Sequence, residues 1–246
     1  MELQDACIRM EHVNRFFGDK QILYDVSIEV PCGSIYGLLG PSGCGKTTTV
    51  KIMSGILEAT DGETFILGEK MPQLSLMNRI GYMAQSDALY MTLSARENLA
   101  FFGQVYGMRG KLLKERAETA MEVVGLSDEM EKTVGAFSGG MKRRLSLALA
   151  ILHQPPILIL DEPTVGIDPL LRQNIWKTLY AMSEKGTTIM VTTHVMDEAE
   201  KCNTLAMMRE GRLIAHGSPS QIIADSGKNS LEEAFIHFGR GEEADR

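Results

Sequence analysis

An α/β fold is predicted by three observations. Short apolar or β-branched runs recur towards both ends of the chain. A glycine-rich loop joins one such run to a helix-forming segment. A block of helical periodicity, from about residue 86 to residue 154, separates the two sets of strands. Together they predict a phosphate-binding core with a mixed central sheet, an antiparallel β edge subdomain and an inserted α-helical subdomain. The expected division is residues 1–85 and 155–225 for the core and its β edge, 86–154 for the helices, and 226–246 for a C-terminal helix and tail.

The elements follow in order. Cys7–Val13, Ile22–Val30 and Ser34–Leu39 read as strands, broken by Gly18-Asp19 and Pro31-Cys32-Gly33. The helix behind the glycine-rich loop runs from about Lys46 to Ser54, and Glu63–Leu67 is a strand between Asp61-Gly62 and Gly68. Ser94-Ala95-Arg96-Glu97 is a capping box, and Leu99, Phe102 and Tyr106 fall on one face of the helix it starts. Residues 111–124 form a charged amphipathic helix. A further helix starts at Ser138-Gly139-Gly140 and carries Met141, Leu145, Ala148, Leu149 and Leu152 on one side. Ile157–Leu160 and Thr187–Thr193 are continuous apolar or β-branched runs, which suit parallel strands covered on both faces. Between them a helix of about Leu170–Glu184 ends at Lys185-Gly186. Thr204–Arg209 and Arg212–His216 flank the turn Glu210-Gly211. A short helix, Ser230–Phe238, precedes a polar end that is expected to fray.

Composition narrows the function. With 246 residues, 44% of them hydrophobic, the chain can bury a substantial core. A net charge of -7 argues against broad nucleic-acid binding, which needs a basic surface, so no nucleic-acid partner is expected. Cys7, Cys32, Cys44 and Cys202 form no C-x-x-C pair and read as scattered free thiols of a reducing cytosol rather than as a disulfide framework. No apolar run approaches the roughly 18 residues that span a bilayer. The acidic start Met-Glu-Leu-Gln-Asp is not a secretory signal. The expectation is a soluble cytosolic chain, and any membrane role must come through a partner.

Gly40-Pro41-Ser42-Gly43-Cys44-Gly45-Lys46-Thr47, followed by Thr48, is a P-loop, G-x-x-x-x-G-K-[ST]. Its glycines let backbone N–H groups point at a phosphate, and the helix starting there adds its positive end. Lys46 would place a charge between β- and γ-phosphates, and the Thr47 hydroxyl would ligate Mg²⁺. Ile157-Leu158-Ile159-Leu160-Asp161-Glu162 is an apolar strand ending in two carboxylates. Asp161 would join the Mg²⁺ shell, and Glu162 would polarise the attacking water. These motifs point to a P-loop ATPase or GTPase. The absence of an N-K-x-D guanine-reading motif favours ATP. Cys44 lies at a helix start, where a thiolate is stabilised, so a reactive thiol is expected; a cysteine that only fills a small-residue slot is the alternative.

Phe137-Ser138-Gly139-Gly140-Met141, one helix ahead of Asp161, narrows the family. With it the chain resembles the ATP-binding cassette (ABC) family over essentially its whole length, which implies a P-loop NTPase (RecA-like) core. In that family the Ser-Gly-Gly helix start binds the γ-phosphate held by the opposite subunit, and Ser138, Gly139 and Gly140 match it. The commonest form is Leu-Ser-Gly-Gly-Gln, so Phe137 and Met141 depart from it, and Met141 cannot supply the glutamine's hydrogen bonds. Ser-Gly-Gly-Met followed by Lys142-Arg143-Arg144 resembles the drug, lipid and polysaccharide exporter subgroup, as does the tail Leu231-Glu232-Glu233-Ala234-Phe235. The resemblance also implies roles for single residues. Gln85 matches the Q-loop residue that touches Mg²⁺ or the water, and His194 the switch histidine of the γ-phosphate. Asp168 of Val165-Gly166-Ile167-Asp168 matches the loop passing between subunits. Phe17 matches the aromatic that stacks on adenine, with Phe16 as its competitor.

The implied machine needs partners. One cassette holds half of each ATP site, so a second ATP-binding subunit, a copy or a paralogue, supplies the other Ser-Gly-Gly segment. Transmembrane permease subunits would be driven through a groove beside Gln85. Three other readings stay open: a soluble ABC ATPase of translation or DNA maintenance, a P-loop kinase or GTPase outside the family, and a catalytically inactive cassette. Intact Lys46, Asp161, Glu162 and His194 stand against the last.

Overall fold

The computed structural model describes residues 6–86 and 88–244. Two sheets organise the chain. The antiparallel one has the order β2-β1-β4-β5, made of β1 (Ala6–Phe17), β2 (Lys20–Pro31), β4 (Asp61–Ile66) and the short β5 (Glu69–Lys70). The mixed one contains β3 (Ile35–Leu39), β6 (Ile80–Met83), β7 (Ile157–Asp161), β8 (Thr188–Thr193), β9 (Thr204–Arg209) and β10 (Arg212–Gly217), in the order β10-β9-β3-β8-β7-β6. All its neighbouring pairs are parallel except β9 with β10.

The apolar runs of the sequence are explained by this arrangement. Every residue of β3, β7 and β8 is buried. Strand alternation divides them between two cores. Leu158 and Leu160 face one side, with α2 (Ala95–Val105), α3 (Gly110–Val123), α4 (Gly139–Ile151) and α5 (Pro169–Glu184). Ile157 and Ile159 face the other, against the antiparallel sheet and α1 (Lys46–Met53). A third core lies under α7 (Pro219–Ser226) and α8 (Leu231–Ala244), around Leu205, Met207 and Leu231. Side chains cap several helices. Ser94 and Glu97 close the expected capping box of α2, while Ser138, Asp168 and Ser218 cap α4, α5 and α7. Gly81 on β6 has a packing reason: a Cβ there would strike the Ala150 carbonyl of α4.

Several expectations change. Cys7 and Cys32 are disulfide-bonded rather than free, with Cα atoms 4.9 Å apart. The antiparallel register sets Ala6 opposite Pro31, and this brings the two thiols together across 25 residues of sequence. Cys44 and Cys202 are free and buried. The last helix does not stop at Phe238 but continues to Ala244, and residues 245–246 of the expected polar end lie outside the described residues. The short α6 (Met196–Ala199) and α7 have no counterpart in the sequence reading. Among the described residues no helix is long and apolar enough to cross a membrane.

One packing contact has a pH signature. The His153 ring, just past α4, stacks on Tyr106 with centroids 3.7 Å apart. Burial lowers its pKa from 6.5 to about 4, only partly opposed by the Ile80 backbone. The fold therefore favours the neutral ring. Its stabilisation is complete above the unfolded value of 6.5 and is lost as pH falls through the folded value of about 4. His153→Phe keeps the stack and removes the titration. Urea midpoints measured across this pH range should fall less steeply in the variant than in the parent, and parallel curves would exclude His153 as the source.

Candidate nucleotide site

The P-loop joins β3 to α1, and its conformation is set by backbone geometry. Gly43 (φ 79°) and Gly45 (φ 115°) lie in the left-handed region that favours glycine. Gly40 donates its N–H to the Thr193 carbonyl at 3.2 Å, and a Cβ there would meet the Met208 carbonyl and Cys44. Gly40 is thus required by close packing against β9. Unlike α2, α4, α5 and α7, α1 has no side-chain cap, and its first turn carries no acid. Its N–H groups remain for an anion.

Lys46, only 4% exposed, donates from Nζ to the carbonyls of Gly40 at 2.8 Å and Pro41 at 3.0 Å, and lies 3.6 Å from Glu162 Oε1. Asp161 ends β7 fully buried. It accepts from Thr47 Oγ1 at 2.8 Å and from Thr192 Oγ1 at 2.5 Å. Gln85 Oε1 is 3.5 Å from the Thr47 hydroxyl. Glu162 holds a left-handed backbone (φ 52°), unusual for a non-glycine, and its N–H is taken by Thr192. Its carboxylate stands 3.2 Å from His194 Nδ1. Lys46, Thr47, Gln85, Asp161, Glu162 and His194 therefore converge, as the sequence predicts. Beside them Ser42, Gly43, Gly45 and Thr48 line a shallow cleft of about 140 Å³, and Ile22 forms its apolar wall. A larger cavity, about 500 Å³ between α3, α4 and α5, contains none of these residues.

Other expected site residues are placed apart from the cleft lining. Ser138 is exposed at the start of α4, where its hydroxyl accepts the Met141 N–H at 3.2 Å. That leaves the hydroxyl hydrogen free for an outside acceptor. A Cβ at Gly139 would meet nothing within 4 Å, and Gly140 faces the Gly166 carbonyl. Asp168 caps α5 through Leu171. Phe17 is 48% exposed with the Arg15 guanidinium 4.5 Å from its ring centroid, and Phe16 is 38% exposed.

The expected thiolate at Cys44 is not favoured. Burial pushes the thiol up, and the opposing Lys46 charge does not cancel it. The helix terminus that would stabilise the anion is outweighed by loss of water. Tyr82 on β6 is likewise pushed up to about 12 by burial, with the Asp161 charge adding to it and the Arg143 charge opposing.

Three residues of the site carry no assigned role in the sequence reading. Thr192 binds Asp161 by its hydroxyl and Glu162 by its oxygen lone pairs. Glu198, 2% exposed, accepts from Thr164 and Thr193 and lies 3.6 Å from Arg172, so it anchors the segments on either side of His194 and Gly166. Arg143 of α4 reaches the carbonyls after β6 and at the end of β7. Only Arg143 left a trace in the sequence, inside the basic run after the Ser-Gly-Gly segment.

A family model described as "ABC transporter" matches residues 23–165, more than half of the chain. A probable multidrug ABC transporter ATP-binding protein, YbhF of Escherichia coli (strain K12), is 41% identical over 95% of this chain. The chain spans only 42% of that relative's length. A Nod factor export ATP-binding protein I of Burkholderia lata is 40% identical over 89% of this chain and 73% of its own. Among solved structures, an ATP-binding subunit of an ABC transporter superimposes with a TM-score of 0.88 at 26% identity, covering 95% of this chain and 99% of its own. A bacterial ABC transporter cassette solved as a dimer, MJ0796, gives 0.81 at 24% identity over 86% and 98%, a likeness of fold. Together with the cleft at the uncapped start of α1, these matches show that the chain belongs to the ABC transporter family, as one of its ATP-binding cassettes.

Proposed function

We propose that this chain binds and hydrolyses ATP as the motor subunit of an ABC exporter. The observation that carries the reading is the Glu162 carboxylate. It sits 3.2 Å from His194 Nδ1 and 3.6 Å from Lys46 Nζ, beside a helix start with no cap of its own. There Glu162 accepts the proton of the attacking water, while His194 and Lys46 hold the γ-phosphate end. The P-loop residues from Gly40 to Thr48 cradle the remaining phosphates. Thr47, Gln85 and Asp161 offer an all-oxygen donor set around one hydroxyl, the chemistry Mg²⁺ prefers, and would hold that ion with the nucleotide. Bound Mg²⁺ neutralises phosphate charge.

ATP works as a bridge between two cassettes. Ser138, Gly139 and Gly140 lie exposed or half-buried at a helix start and do not line their own cleft, which fits their use by a second subunit's nucleotide. Hydrolysis removes the bridge. Permease subunits would dock in the groove of about 340 Å³ beside Gln85, walled by Tyr82, Ala84, Phe102, Tyr106 and Leu149, and hold the cassette at the membrane's inner face. Export rests on the names of the relatives, multidrug transport and Nod factor export.

Glu162→Gln should keep ATP affinity, slow hydrolysis at least ~10²-fold and accumulate an ATP-bound dimer on gel filtration. Normal turnover by that variant would remove Glu162 from the role. Phe17 and Phe16 are separated by a second measurement. Phe17→Ala should weaken ATP binding about tenfold, the loss of one stacked base, while inorganic tripolyphosphate binds as before. The same selective loss in Phe16→Ala, with Phe17→Ala unaffected, would move the adenine contact to Phe16.

A further inference from the structure

We propose that Arg143 is a positioning residue that couples the two ATP sites of a cassette pair. The inference rests on the dimer reading above and goes beyond it. The Arg143 side chain is almost fully buried, 7% exposed. Its guanidinium donates to four backbone carbonyls on two separate segments. After β6 these are Ala84 at 2.6 Å and Gln85 at 2.9 Å. At the end of β7 they are Asp161 and, at 2.8 Å, Glu162. A planar fork of N–H groups suits this task, because it fixes angle as well as distance.

What the four carbonyls belong to gives the contact its meaning. Gln85 and Glu162 border the cleft of this chain's own nucleotide. Ser138, the cap of the helix that carries Arg143, is exposed, and in the dimer reading it meets the nucleotide of the other subunit. One helix thus presents an anion-binding start to one site and grips the backbone of the other. Glu162 needs that grip. Its left-handed φ of 52° is a conformation non-glycine residues hold only when their surroundings impose it. Thr192 fixes the N–H side of the residue, and Arg143 fixes the carbonyl side. A shift of α4 on engaging the partner's γ-phosphate is therefore passed to the Glu162 carboxylate and to Gln85 without any contact between the two nucleotides.

The neighbouring Arg144 provides a matched control. It donates to Val124 at 3.1 Å and Gly125 at 3.0 Å, both within the helical insert, and these bonds do not cross to the cleft. The experiment compares R143Q, R143K and R144Q in the full chain by three readouts: the Hill coefficient and kcat of ATP hydrolysis, the Kd of a fluorescent ATP analogue, and Tm. R143Q should keep the Kd within about twofold. It should lose at least about tenfold in kcat, the worth of one charge-assisted hydrogen bond, and its Hill coefficient should drop to about one. R143K keeps the charge but reaches fewer carbonyls, so it should fall between R143Q and the parent. It carries the same comparison if R143Q does not fold. R144Q should keep the parental Hill coefficient. An unchanged Hill coefficient in the Arg143 variants overturns the proposal. So does a loss shared equally by R144Q, or one that follows Kd and Tm. The dimer reading is judged separately: if Glu162→Gln with ATP sediments as a single subunit, that reading fails, whereas a dimer in which the Arg143 variants stay cooperative refutes this inference alone.

Discussion

A carboxylate with no access to water organises the centre of this protein. Asp161 is fully buried at the end of β7, and an isolated charge there would cost several kcal/mol. Thr192 on β8 and Thr47 on α1 share that load with hydroxyl donors. Each oxygen is thereby tied to a different element. The ends of two parallel strands and the first turn of a helix are held in one register, and removing either hydroxyl would leave a buried acceptor uncompensated. Everything that borders the cleft hangs on this junction. Thr192 also takes the Glu162 N–H, β8 delivers His194, and α1 delivers Lys46.

Much of this was readable before any coordinates, for a definable reason. The P-loop is written in local backbone requirements: glycines at left-handed positions and a helix start without a cap. The central strands were visible because full burial on both faces leaves continuous apolar runs. The capping box of α2 was visible because its two partners lie three residues apart. Features made across space were not readable. The pairing of Cys7 with Cys32 depends on a strand register that no C-x-x-C search detects. Thr192 looked like any β-branched strand residue. Glu198 has no local signal, because its threonine partners come from elsewhere in the chain or from a strand end. The short α6 and α7 fall below the length at which periodicity can be seen. The thiolate anticipated at Cys44 is disfavoured, because a motif reports position at a helix start but not depth of burial.

Polar side chains help to join the helices between β6 and β7 to the strands around them. Arg143 reaches both the segment leaving β6 and the end of β7, while Gly81 lets α4 approach close enough for that reach. Packing thus sets the distance between the helical layer and the sheet, and directed hydrogen bonds set their angle. A hydrophobic interface by itself would allow sliding, because dispersion contacts are non-directional.

Lys46 has a consequence for binding at the cleft. Its ammonium group has three N–H donors and gives two of them to loop carbonyls, so a phosphate can be bound without breaking either bond. The loop is pre-shaped, and little entropy remains to be lost on ligation. A lysine tethered in this way is held by the loop's own backbone, so substituting it would loosen the loop as well as remove a charge.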